Sequence, residues 1–274
     1  MAEILRDMTD RPALLAALDA NMAERTGLSE RFSGGSRILR RSDCFQSIGE
    51  LAHPIANQVF LARFSEDDAE RRIDETLAPY IERNLPCHWW VGCTNTPADL
   101  PARLEKRGLK RFEDETGMAA LLAEMDLAPP IPEGVTILKV VDQASLDLFF
   151  EAFSRNGLPS PLARQIYELY KHLGFSDDRP MHQFVALLDG EPVATSAALY
   201  AHGVVGLYNV GTHPSARRRG IGTAVSAAAF AEAPARGYKV AIVVSTPMGR
   251  SVYERLGARE VCKLAIYERP AELA

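Results

Sequence analysis

A basic loop with two glycines stands between an apolar run and a run of small residues: Tyr208-Asn209-Val210-Gly211-Thr212-His213-Pro214-Ser215-Ala216-Arg217-Arg218-Arg219-Gly220-Ile221-Gly222-Thr223. Residues 204–211 before it read as a strand. From about Gly220 to Ala233 the chain reads as a helix, which Pro234 ends or kinks. A strand feeding a helix in this way points to a mixed α/β arrangement. The loop also sets local chemistry. A helix N-terminus offers unpaired N–H groups and partial positive charge, which together make a phosphate site. Gly220 and Gly222 let a diphosphate approach the backbone without Cβ clashes, and the arginines add charge facing solvent or an outer phosphate. Alone, a Gly-x-Gly run is weak evidence and reads more readily as a glycine-relieved helix start beside solvated arginines. The order of the surroundings makes it more specific: strand, His-Pro, arginines, Gly-x-Gly, small-residue helix, apolar strand. It is neither a Walker loop, which ends in Gly-Lys-Ser/Thr, nor a dinucleotide fingerprint, which needs a third glycine.

The rest of the C-terminal part extends this reading. Residues 146–153 and 162–173 have helical spacing, with Leu146, Phe149, Phe150 and Phe153 on one face. Residues 183–188 and 192–200 read as strands joined by an Asp189-Gly190 hairpin turn. After the basic loop and its helix come a strand at 240–245, a helix at about 249–256 and a last strand near 261–267. Upstream, Pro129, Pro130 and Pro132 interrupt both helix and sheet, so 127–134 reads as a linker. With 274 residues the chain then divides into domains at 1–128 and 133–274.

The N-terminal part ends in a similar order: helix over 66–84, strand over 87–93, helix over 97–107. Leu104-Glu105-Lys106-Arg107-Gly108-Leu109-Lys110 resembles Tyr253-Glu254-Arg255-Leu256-Gly257-Ala258-Arg259, and each follows a Thr-Pro pair, Thr96-Pro97 or Thr246-Pro247. This is a weak internal repeat or a coincidence between two αβ units; the repeat implies two copies of one fold.

The 208–223 segment resembles the GNAT superfamily of CoA-dependent N-acyltransferases. Arg217, Gly220 and Gly222 match its Gln/Arg-x-x-Gly-x-Gly/Ala signature, and the resemblance continues through 245–258, covering about 135–267. It implies a tandem mixed-sheet α/β protein whose sheet is splayed between two strands, with a pantetheine arm in the gap. It further implies that backbone groups of Val210, Gly211 and Thr212 pair with pantetheine. Arg217, with the amides of Arg218, Arg219, Gly220, Ile221, Gly222 and Thr223, would hold the diphosphate, and Thr246 would touch the cofactor. Tyr253 falls where many members carry a tyrosine near the cofactor sulfur. A phenol there can protonate the departing CoA thiolate, whose pKa is near ~8.5 if it behaves like a cysteine thiol. Otherwise Tyr253 fills a helix–strand interface.

One departure concerns the proton. Many members carry a carboxylate on the strand before the loop, but Val205-Gly206-Leu207-Tyr208-Asn209 holds no acid. Water or a group elsewhere, such as Glu151, then has to take the ammonium proton, and the sequence names no general base. The N-terminal copy lacks the glycine loop: Arg63-Phe64-Ser65-Glu66-Asp67-Asp68 stands in its place, with acids that suit a helix start and oppose a diphosphate, and Leu104 replaces Tyr253. That copy reads as degenerate, a packing partner shaping one wall of the acceptor site. One CoA per chain is expected, and 154–182 is the expected lid.

Other features read as structural. Cys87, Trp89, Val91 and Cys93 share a strand face, which suggests core packing. His202 and His213 read as turn residues. Four cysteines, Cys44, Cys87, Cys93 and Cys262, form neither a disulfide framework nor a zinc pattern, so no metal is expected. A net charge of −5 and arginines without interleaved aromatics argue against nucleic acid. No apolar run is long enough to span a bilayer, and the start Met1-Ala2-Glu3 lacks a secretory pattern, so cytoplasm is the expected compartment. The expected activity is acetyl transfer from acetyl-CoA to a primary amine of a small molecule or peptide, by direct attack in a ternary complex. A CoA-binding pseudoenzyme is the alternative. Neither acceptor nor oligomeric state is written in the sequence.

Overall fold

The computed structural model describes residues 3–31, 36–155 and 160–271, so Met1 and Ala2, part of the argument against a leader, lie outside the described residues. Helix α1 (Arg11–Gly27) starts at Asp10, whose side chain accepts from the Ala13 amide at 3.0 Å. Strands β1 (Arg37–Arg40), β2 (Phe45–Ile48) and β3 (Gln58–Phe60) form an antiparallel meander. Helix α2 (Ala69–Glu82) then carries the chain to β4 (Cys87–Val91), parallel to β3, followed by α3 (Leu100–Glu105) and the long β5 (Lys110–Leu121). The proline-rich stretch leads to β6 (Val135–Lys139), α4 (Gln143–Ser154) and α5 (Ser160–Leu173). A second antiparallel set follows: β7 (Met181–Leu188), β8 (Glu191–Ala201) and β9 (Val204–Thr212). Helix α6 (Ile221–Ala231) crosses to β10 (Val240–Ser245), parallel to β9, and α7 (Arg250–Arg255) and β11 (Arg259–Arg269) end the chain. The order α2–β4–α3–β5 thus recurs as α6–β10–α7–β11.

Local chemistry accounts for these elements. Asp142 and Ser145 form a reciprocal capping box at the start of α4. Asp189 and Gly190 both take positive φ, +51° and +88°, as a two-residue hairpin demands. Two expectations shift. Helix α2 begins at Ala69, because the acidic run forms a turn ahead of it in which Ser65 Oγ accepts the Asp68 amide at 3.2 Å. Cys93 lies past the end of β4 and is exposed, so it does not share the buried face of Cys87 and Trp89.

The eleven strands of the described residues join one mixed sheet, in the order β1-β2-β3-β4-β11-β5-β10-β9-β8-β7-β6. Each half gives its last strand to the other: β11 lies against β4, and β5 lies against β10. Residues 115–120 of β5 are buried without a break, as a central strand covered on both faces requires. Alternation places Ala119 in the core beneath α1, and Met118 and Ala120 in the core beneath α6 and α7. Helix α1 also reaches over β8 and β9. Buried Asn21 donates to the carbonyls of Ala201 (2.9 Å) and Leu199 (3.4 Å), and it accepts the Tyr208 hydroxyl at 2.7 Å. Gly206 permits this approach, since a Cβ there would collide with Asn21 Oδ1.

Candidate active site

Strands β9 and β10 pair at Val205, Gly206 and Leu207, opposite Ala241, Ile242 and Val243, and the paired register ends there. β9 bends where Asn209 takes φ +53° and its register with β8 shifts; Thr195 Oγ1 donates to the Asn209 carbonyl at 2.7 Å and holds the bend. β10 stays with β5 instead, through Val244 opposite Gly117 and Ser245 opposite Thr116. The two parallel strands therefore part, and a cavity of about 1070 Å³ occupies the gap.

One side of the cavity is the glycine loop. Gly220 caps α6 with φ +83° and no side-chain cap bond, and Arg218 also takes positive φ, +63°. The first-turn N–H groups of a helix have no intrahelical partner. Here the Ala224 amide reaches back to the Gly220 carbonyl at 3.0 Å. Arg217 Nε donates to the Thr212 carbonyl at 3.0 Å and ties the loop to the end of β9. A Cβ on Gly222 would stand 3.3 Å from Thr212 Oγ1, so a side chain there would press into the tip of β9. Val210, Gly211, Thr212, Arg217, Arg218, Gly220, Gly222, Thr223, Thr246 and Tyr253 all line the cavity. Arg219 does not, and Ile221 turns its side chain into the core beside Val225 and Phe230.

Tyr253 on α7 is 6% exposed, and burial, reinforced by the charge of Glu115, raises its phenol pKa well above the ordinary value. Glu115 on β5 is a cavity residue that sequence reasoning missed. It lines the cavity, is 7% exposed, and its Oε2 is buried without a hydrogen-bond partner. Burial, and secondarily repulsion from Glu113, pushes its carboxyl up to about 7. The carboxylate absent from 205–209 is thus matched by one from the other half of the chain. The available signal was an acid ending an apolar run, Glu115-Thr116-Gly117-Met118-Ala119-Ala120.

The remaining wall also comes from the N-terminal half: Met22 and Arg25 of α1, Phe60 of β3 and Trp90 of β4. The Phe60 and Trp90 rings stack, with centroids 5.7 Å apart and planes 14° apart, and Trp90 Nε1 is buried without a partner. The Arg25 guanidinium sits 5.5 Å above the centre of the Tyr208 ring. The lid expected from 154–182 does not close this cavity: residues 156–159 lie outside the described residues, and none of the others lines it. Tyr170 of α5 instead accepts a hydrogen bond from Asn209 Nδ2 and buttresses the bend in β9. Glu151 is exposed, accepts from Arg155 at 2.5 Å and does not line the cavity, which removes it as a proton acceptor. His202 takes φ +53° in the β8–β9 turn, and His213 bonds Ser215 Oγ at 2.8 Å in the loop, so both hold turns.

The profile of the acetyltransferase (GNAT) family matches residues 145–258. No curated protein matches the sequence. Among solved structures, a GCN5-related N-acetyltransferase from Kribbella flavida superposes with a TM-score of 0.70 at 17% identity, covering 93% of this chain and 96% of the other. One from Sphaerobacter thermophilus has a TM-score of 0.62 at 16% identity, over 100% and 96% of the two chains. A tandem GNAT protein from the clavulanic acid biosynthesis pathway has a TM-score of 0.59 at 14% identity, over 98% and 97%. At such identities the structural likeness speaks to the fold.

Proposed function

We propose that this chain, whose residues 145–258 match the acetyltransferase (GNAT) family, transfers an acetyl group from acetyl-CoA to a primary amine of a small molecule or peptide, by direct attack in a ternary complex. The observation that carries this reading is the cavity between the parted β9 and β10, which joins an uncapped helix start to a buried tyrosine. The donor fits the residues present. Val210, Gly211 and Thr212 line the gap, where their backbone groups would pair with pantetheine. Arg217 and Arg218, with the first-turn amides of α6, supply positive potential for a diphosphate. Thr246 lies on the opposite bank. Tyr253 protonates the leaving thiolate; its raised pKa keeps the proton on the phenol until sulfur takes it. We further propose that residues 133–274 form the catalytic copy, that 1–128 form a copy without a cofactor loop, and that the protein works in the cytoplasm. Among the described residues no helix is long and apolar enough to cross a membrane.

The rival reading, a CoA-binding protein without turnover, rests on the missing acid on 205–209; Glu115 in the cavity weakens it. Thiol release from acetyl-CoA across a broad amine panel separates the two. Release with at least one amine, together with its N-acetylated product by mass spectrometry, supports transfer. CoA binding with no release across the panel supports the rival.

A further inference from the structure

We infer that the N-terminal half builds the acceptor site, and that the site takes a primary amine carried on a flat, apolar body: Glu115 holds the ammonium group and accepts its proton, while the Phe60–Trp90 ring pair seats the body. This rests on the acetyl-transfer reading above and names its substrate class.

The first support is placement. The glycine loop and residues 244–255 line part of the cavity, and α1, β3, β4 and β5 of the N-terminal half line the rest. The second is an unmet charge. A buried carboxylate is costly unless a cation or donor faces it, and Glu115 Oε2 has none. Arg25, the cation on the same wall, is placed over the Tyr208 ring. An incoming ammonium group supplies what Glu115 lacks. The third is shape. The stacked rings of Phe60 and Trp90 offer a flat apolar surface, and the unpartnered indole N–H favours a body bearing a hydrogen-bond acceptor. Glu115 is the only acid among the lining residues, alongside Arg25, Arg217, Arg218 and Arg255. A diamine would therefore leave its second ammonium group facing arginines, and the site selects against it.

The step balances as follows. The ammonium proton passes to Glu115, and the freed amine nitrogen attacks the thioester carbonyl. The N–C bond forms, the C–S bond breaks, and the sulfur takes the Tyr253 proton. The amide nitrogen's surplus proton restores the tyrosine, and Glu115 releases its own to water. The products are an N-substituted acetamide, free CoA thiol and one proton.

The test uses the full chain. 2-Phenylethylamine, n-butylamine and putrescine are titrated calorimetrically into CoA-saturated protein, and each is assayed for thiol release with acetyl-CoA. The aryl amine should bind at least ~10-fold tighter than the other two, the scale of one buried apolar group. Glu115→Gln should weaken amine binding at least ~10-fold and lower kcat roughly 100-fold, with CoA affinity unchanged; Glu115→Asp should recover part of both. Trp90→Ala, or Phe60→Leu should the first not fold, should erase the aryl preference, the affinity for 2-phenylethylamine falling to that for n-butylamine. Equal affinity for all three amines, or a Glu115→Gln variant indistinguishable from wild type, overturns the inference. A chain that binds no CoA, or binds amines without releasing thiol, instead overturns the acetyl-transfer reading. Amine titrations on the CoA-free protein then still decide the acceptor site.

Discussion

The parallel strand pairs of the two halves, β3 with β4 and β9 with β10, start alike and end differently. β3 and β4 pair at Gln58 opposite His88 and Val59 opposite Trp89. Beyond them the chain closes its own gap: the Thr96 amide donates to the Ala62 carbonyl at 3.0 Å, and the Phe64 amide to the Thr96 carbonyl at 3.1 Å. Asn95 Nδ2 adds a bond to Ala62 O at 3.0 Å, and the Phe64 ring packs edge-on against Trp89. β9 and β10 part after Leu207, and the cavity stands in that place. Where the C-terminal half has Tyr253, the N-terminal half has Leu104, fully buried. The sequence suggests that acids before α2 keep the first copy from a diphosphate. The structure pairs two of those acids: Glu66 with Arg103 at 2.8 Å and Asp68 with Arg71 at 2.7 Å, with Arg41, Arg63 and Arg72 close by. Closure of the gap separates the halves more clearly than charge does. One topology leaves a gap or closes it according to whether backbone groups at the strand tips find each other.

The sharpest way to break this comparison is to count sites. Calorimetry should give one CoA per chain, and Gly222→Val should weaken that binding at least ~100-fold, the scale of two lost charge-assisted hydrogen bonds, without unfolding the protein. A stoichiometry near two, or full affinity in the folded variant, ends the distinction between the halves. Tyr253→Phe should lower kcat roughly 100-fold at unchanged CoA affinity, since the ring packing remains. An unchanged kcat would make Tyr253 a core residue like Leu104.

Smaller effects follow from titration. Glu115, held at about 7, is a base only when ionised, so kcat/KM should rise about 10-fold between pH 6 and pH 8. Glu115→Gln should flatten that rise, and a profile that keeps it assigns the titration elsewhere. A separate effect concerns stability. Buried His182 bonds Glu232 at 2.9 Å, and burial, with Lys139 and other nearby cations, holds its pKa down at about 4. A depressed histidine contributes stability above its unfolded pKa, which is lost as pH falls from about 6.5 through about 4. The loss should approach about 3 kcal/mol by urea unfolding and be smaller in His182→Gln. His88, paired with Glu268 at 3.0 Å in the other half, is also depressed by burial, and the same measurement compares the two.

Much of the C-terminal half was legible. The Asp189-Gly190 turn, the strand at 240–245 and the small-residue helix follow from turn chemistry and periodicity, which act over a few neighbouring residues. The N-terminal half was read in part. Its short β1 and β2 carry no strong alternation, and β5 showed only an apolar stretch. The cavity's glycine side was legible because an amide-rich helix start is a local feature. Its acceptor side was not, because Met22, Phe60, Trp90 and Glu115 come from four separate elements.

The sequence by itself determined the α/β character, the basic glycine loop with its resemblance to CoA-dependent transferases, and the place of Tyr253 after the last parallel strand. All of these rest on contacts close along the chain. The tertiary structure alone decided that β5 and β11 change places, and so that a carboxylate from the first half faces the tyrosine of the second. Strand pairing is made by backbone groups common to every residue. An apolar run therefore tells that a strand is central without telling which neighbour it will take.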